Sequence, residues 1–112
     1  MISVGLDIQI FRARTAKAFE ADNWYGSEGI TEVYYARKFW TLLEQAKFVN
    51  INDDCGEFIR LTKANIEEFL QIATHNENYF GGFDGVPALC RILHDFDEDE
   101  ENGWHYYLNF SY

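Results

Sequence analysis

Asp95, Asp97 and Asp99 have the D-x-D-x-D spacing that opens an EF-hand calcium loop. The full loop also needs a glycine at its sixth position for the sharp turn and a bidentate glutamate at its twelfth. Glu100 and Tyr106 stand at those positions, so the complete chelating loop is not encoded. A weak divalent-cation site is one alternative, and a solvated acidic loop is the simpler reading. His75, His94 and His105 lack the helical spacing of metal ligands. His94 beside Asp95, and His75 near Glu77, have the composition of acid–base pairs. Proton transfer needs a fixed partner and a tuned pKa, and sequence shows neither. Cys55 and Cys90 are isolated, without CxxC or Cys/His spacing. The expectation is therefore a protein that is not an enzyme and holds no metal or cofactor. A small enzyme or ligand-binding domain using Cys55 or a histidine is the alternative.

The same acidic stretch has a second chemistry, which is charge. Asp95, Asp97, Glu98, Asp99, Glu100 and Glu101 are six acids in seven consecutive residues. The net charge is −10, and it is one-sided. Residues 1–50 hold six basic and six acidic side chains, whereas residues 51–112 hold three basic and thirteen acidic. Direct nucleic-acid binding is disfavoured, because it needs cations to displace counterions from phosphate. Anionic membranes are disfavoured for the same reason. A basic protein partner fits. An extended chain rises about 3.3 Å per residue, and one DNA strand advances about 3.4 Å per phosphate. An extended acidic run therefore approaches the charge density of one strand. The expected partner surface is Asp95, Asp97, Glu98, Asp99, Glu100 and Glu101, with Trp104 and Tyr107 as anchoring rings. The competing reading is that acidity only keeps the domain soluble.

These residues must be positioned by a small core. With 112 residues, 47% of them hydrophobic, and twenty aromatics (ten Phe, seven Tyr, three Trp), residues 1–112 are expected to form a single α+β domain. Ile2, Val4, Leu6, Ile8 and Ile10 alternate with polar or small residues, which predicts a strand over 2–11. Trp104, Tyr106, Leu108 and Phe110 predict another over 103–111, and Glu57 to Leu61 reads as a short third. Thr31 as a cap, with Tyr35, Ala36, Phe39, Leu42, Leu43 and Ala46 on one arc, predicts a helix over 31–48. Thr62 caps a second helix over 63–75, and Pro87 opens a third over 87–96. A short helix is also readable over Arg12 to Ala21. The expected architecture is a three-stranded sheet with helices on one face. The other face, with Gln9, Phe11, His105, Tyr107 and Asn109, would be partly open. The acidic run would be a loop tethered at both ends. A glycine-rich loop between Asn76 and Gly85 lacks the Lys-Ser/Thr of a P-loop.

The first residues hold no charged segment leading into an apolar one, and no run of about eighteen apolar residues occurs anywhere. A cytoplasmic protein with two free thiols is expected, although pairing of Cys55 with Cys90 is not decided by sequence.

Gly5-Leu6-Asp7 in the first strand and Glu32-Val33-x-Tyr35-x-Arg37-Lys38 further on resemble a group of small uncharacterised phage and bacterial proteins. Asn52, Cys55 and Glu57, the Thr62-Lys63 helix start, Ile66-Glu67-Glu68 and the aromatic C-terminal strand are also similar to that group. Phe39-Trp40 depart from its more polar pattern, and the final acidic run is heavier. The resemblance implies a phage or prophage setting, hence host-cell cytoplasm, and no established activity. By association it implies an inhibitor of the anti-CRISPR or other anti-host-defence type.

Overall fold

The computed structural model describes residues 5–76 and 85–112. Its centre is the two most strictly alternating stretches of the sequence. β1 (Asp7–Ala13) and β4 (His105–Ser111) pair antiparallel in register, Ile8 opposite Phe110 and Ile10 opposite Leu108. β2 (Ile30–Arg37) flanks β1 and β3 (Ile59–Leu61) flanks β4, which gives an antiparallel sheet of order β2-β1-β4-β3. The sheet therefore has four strands where three were expected. Residues 2–4 and most of the glycine-rich loop lie outside the described residues.

The additional strand corrects the expected helix over 31–48. Residues 30–37 are extended, and only α1 (Trp40–Gln45) remains of that helix. The segment is rich in β-branched and aromatic residues, which favour a pleated, half-buried surface. Tyr34 and Ala36 point into the core while Tyr35 and Arg37 point out, a period of two. That period was obscured by a β-bulge. The register skips between Ile10 and Phe11, leaving Val33 as the extra residue. Tyr35 and Ala36 could then be fitted to a helical arc with the true helix residues Leu42 and Leu43.

α2 (Ile51–Asp54) is one turn, capped by the Asn50 side chain, which accepts from the Asn52 and Asp53 amides. α3 (Lys63–His75) starts at Thr62 as its sequence indicated. Thr62 and Asn65 exchange side-chain-to-backbone bonds of 3.1 and 2.9 Å in a reciprocal cap. α4 (Val86–Glu101) is longer than expected. The acidic stretch is its last two turns and not a loop. Helices α1, α3 and α4 bury Leu42, Leu43, Ile66, Phe69, Leu89 and Phe96 against the inner sheet face. Each such side chain stabilises the fold by about 1.5–3 kcal/mol.

The outer face is more covered than its sequence suggested. A 3-10 helix (Ala16–Glu20), capped by Thr15, replaces the short helix expected after Arg12. It lays Phe19 on Phe58, stacked at 4.1 Å, and edge-on to Tyr107 at 5.2 Å. Phe11 and the half-buried Trp24 complete this second core. Beyond it the face is a polar ladder, with Tyr35 donating to Asp7 at 2.6 Å and Gln9 to Glu32 at 2.5 Å.

Phe19→Ala is expected to cost about 3 kcal/mol. Its emission spectrum should also move to the red, as Trp24 loses its ring contact with Phe19. Denaturant unfolding followed by fluorescence checks both, and an unchanged midpoint would show that the outer core adds nothing.

Candidate functional site

The acidic end of α4 is a helix built against its own electrostatics. A helix C-terminus carries partial negative charge and favours cations, and each exposed acid there costs roughly 0.3–1 kcal/mol. The last turn of α4 contains no basic residue. Its charge is met instead from the end of β1 and the residue after it. Arg14 donates to the Asn102 carbonyl at 2.6 Å, supplying a cation and a hydrogen bond to the helix end. Arg12 sits 3.4 Å from both oxygens of Asp99. Both guanidiniums lie over the Trp104 ring, at 4.7 and 4.1 Å.

Chain reversal at this end depends on Gly103. The Gly103 amide bonds the Glu100 carbonyl at 3.0 Å and the Trp104 amide bonds that of Asp99 at 2.8 Å, a Schellman arrangement. It requires a left-handed residue, and Gly103 has φ +86°. A Cβ there would also meet the Arg14 guanidinium at 3.0 Å.

The six acids have different roles. Asp99 points inward, with its side chain 13% exposed, and accepts a short hydrogen bond from the Tyr106 hydroxyl as well as the Arg12 contact. Burial, and then this bond to Asp99, push the Tyr106 hydroxyl pKa well above the usual tyrosine range. Asp97 is 79% exposed and pairs with Lys63 at 2.9 Å. That bond raises the Lys63 pKa. Glu100 lies 3.5 Å from both Arg60 and His105, and Arg60 also reaches the His105 Nδ1 at 2.8 Å. Asp95 pairs with His94 at 2.9 Å. Glu98 and Glu101 are exposed and make no ion pair among the described residues.

Of the two expected anchoring rings, Trp104 adjoins the acids but its ring is occupied by Arg12 and Arg14. Tyr107 is only 4% exposed and belongs to the outer core, away from the acidic face. Helical geometry also separates the D-x-D-x-D carboxylates. Asp95 and Asp99 share one side of α4, and Asp97 reaches Lys63 on another. Among the described residues no three His, Cys, Asp or Glu side chains are grouped to hold a metal ion. Cys55 and Cys90 are free thiols. His75 bonds the Gln71 carbonyl of its own helix at 2.7 Å. Arg12, Arg14 and Tyr106 were missed as site residues. For Arg12 the signal was the alternation Ile8, Ile10, Arg12, which continues β1 where a helix had been read, and Arg14 follows directly on its end.

No helix among the described residues is long and apolar enough to cross a membrane. Comparison with protein-family models, curated proteins and solved structures finds no match.

Asp99→Asn is expected to destabilise the fold by about 2–3 kcal/mol, because it weakens the pairing of a part-buried Arg12. Glu98→Gln and Glu101→Gln should instead stabilise it, by about 0.5 kcal/mol each. Denaturant midpoints of the three variants check the contrast, and equal losses for all three would contradict it. A second expectation concerns alkaline pH. Tyr34 and Tyr106 have raised pKa values in the folded state, Tyr34 through burial. Their contribution to stability is therefore complete below the ordinary tyrosine pKa of about 10. It is lost as pH rises from there through the folded values. Tyrosinate absorbance should show the Tyr34 and Tyr106 rings ionising late and together with unfolding, and Tyr35, raised by its bond to Asp7, ionising late without it. Ionisation of all tyrosines near pH 10 without unfolding would contradict this.

Proposed function

We propose that this chain is a non-enzymatic interaction protein, phage- or prophage-derived, whose acidic α4 end binds a basic, nucleic-acid-binding protein and inhibits it. The observation that carries this reading is the concentration of acids at a helix C-terminus, where they oppose the macrodipole. Folding does not need Glu98 or Glu101 there. A local rule broken at a stability cost is expected at functional sites.

The charge geometry supports the same reading in a form different from an extended strand. Seven helical residues span only about 10 Å. Six acids in that length give roughly one carboxylate per 1.7 Å, close to the spacing of charge along duplex DNA. Arg12, Lys63 and Arg60 offset three of them. The remaining three give roughly one charge per 3.5 Å, close to one strand of DNA. Asp95, Glu98 and Glu101 are those three, Asp97 and Glu100 flank them as exposed acids already paired with cations, and Asp99 is the structural support of the array. An anti-CRISPR or other anti-host-defence inhibitor is the class this surface fits, acting in the host cytoplasm.

The test uses Asp97→Asn, Glu98→Gln and Glu101→Gln combined, with Asp99 retained. Partners captured from host lysate at low salt should be basic, should be released as salt rises, and should compete with single-stranded DNA for the protein. The triple variant should bind them at least about tenfold more weakly while melting no earlier than the parent. Capture that is unaffected by the triple substitution and by salt would refute the electrostatic interface.

A further inference from the structure

β2 is the longest strand of the sheet and lies at its edge. The opposite edge, β3, has only three residues, and shortness protects an exposed edge from pairing with other chains. β2 has eight residues and no proline, and its charged side chains are not on the inner face.

The ladder fixes which backbone groups face the open side. The Lys38 amide bonds the Leu6 carbonyl at 2.7 Å. Residues 6 and 38 are thus a hydrogen-bonded pair, and such pairs alternate with non-bonded ones along an antiparallel ladder. Asp7 opposite Arg37 and Gln9 opposite Tyr35 are therefore non-bonded pairs. Beyond the bulge, Phe11 opposite Glu32 is another. The amides and carbonyls of Glu32, Tyr35 and Arg37 consequently point away from β1. The far side of the sheet agrees with this phase. Phe110, opposite Ile8, points away from β1, and its carbonyl accepts from the Gly56 amide at 2.8 Å. Among the described residues nothing bonds the backbone of Glu32, Tyr35 or Arg37 on the open side.

The same three residues share the outer face. Glu32 accepts from Gln9 there, and Tyr35 donates to Asp7. A bulge is one device that guards an edge, but here it brings an acid and a base to matching positions. It fits Val33 and Tyr34 into the space of one residue, so Glu32, Tyr35 and Arg37 are spaced like alternate residues of a regular strand. An antiparallel copy of β2 centred on Tyr35 then matches without a slip. Tyr35 meets its own equivalent, and Glu32 meets Arg37 in two symmetric places. Each of these pairs joins groups that face the open edge, so each can exchange both backbone hydrogen bonds.

The side chains suit this register. Tyr35 is 44% exposed. Arg37 is exposed and makes no ion pair among the described residues, while Asp7 opposite it accepts from Tyr35. The Glu32 carboxylate is bonded by the neutral Gln9 amide, which leaves its charge uncompensated. Opposite charges and aromatic rings on directly opposed residues stabilise a strand pair, and like charges weaken it. A two-fold contact needs a self-complementary surface, and this edge is one.

We propose that the chain forms a two-fold dimer by antiparallel pairing of β2 with β2 of a second copy, centred on Tyr35. The two sheets join into one continuous sheet. The acids of the α4 end that pair with Arg60 and Lys63 lie toward β3, the other edge, so this contact is independent of the proposed basic partner.

Sedimentation velocity over a range of protein concentrations should show a monomer–dimer equilibrium. Glu32→Lys and Arg37→Glu each set like charges opposite one another twice, and each should weaken dimerisation at least about tenfold. The double substitution exchanges the charges and should restore it. Circular dichroism reports whether each variant keeps its fold. Hydrogen exchange of the unaltered protein gives a second reading. The Glu32, Tyr35 and Arg37 amides should exchange more slowly as the dimer forms, whereas that of Ala36, already bonded to β1, should change little. A protein that stays monomeric at millimolar concentration would overturn the proposal. So would a dimer indifferent to both single substitutions, a double variant as weak as the singles, or exchange of the three amides independent of concentration. The triple variant of α4 should dimerise like the parent, so this outcome is separable from that of the acidic interface.

Discussion

The Asp99 carboxylate is the junction on which the rest of the molecule depends. It lies in the last turn of α4 and receives Arg12 from β1 and the Tyr106 hydroxyl from β4. One side chain thereby ties the final helix to both central strands. Its position follows from helix geometry, because Ile92, Phe96 and Asp99 fall on the side of α4 that faces the sheet. A buried or half-buried carboxylate is costly unless paired and hydrogen-bonded, and here it is both. The same contacts set the Arg12 and Arg14 guanidiniums against Trp104 and the helix end, where cations are favoured.

This arrangement divides the acidic stretch into structural and surface parts. Asp99 holds the helix, Asp97 and Glu100 are tied to cations near β3 and the start of α3, and Glu98 and Glu101 face solvent. The proposed acidic interface depends on Asp99 for its support. Loosening the Asp99 junction would disturb both the helix end and the interface, whereas changes to the outer glutamates would disturb only the interface.

Much of the frame was legible in the sequence. β1, β4 and α3 could be read because one periodicity ran unbroken through each and, for α3, Thr62 marked the start. β2 could not, because the bulge at Val33 shifts its alternation by one residue. The outer core was hidden because Phe11, Phe19, Trp24, Phe58 and Tyr107 come from four separate stretches of chain with no common spacing. The acidic residues were found by composition alone. Their division by role was not visible, since Arg12 and Asp99 are 87 residues apart and nothing local links them. Acidic residues also disfavour a helix C-terminus, so a local reading ended α4 at Phe96, before the run was complete.

A double-mutant cycle between Arg12 and Asp99 tests the central role of this junction most directly. Arg12→Met keeps the aliphatic stem and removes the charge, and Asp99→Asn keeps the shape of the acceptor. If the two residues fasten α4 to β1, denaturant unfolding should give a coupling energy of about 1–3 kcal/mol. Additivity of the two single substitutions within about 0.5 kcal/mol would contradict the account, because the helix end would then be held by something else.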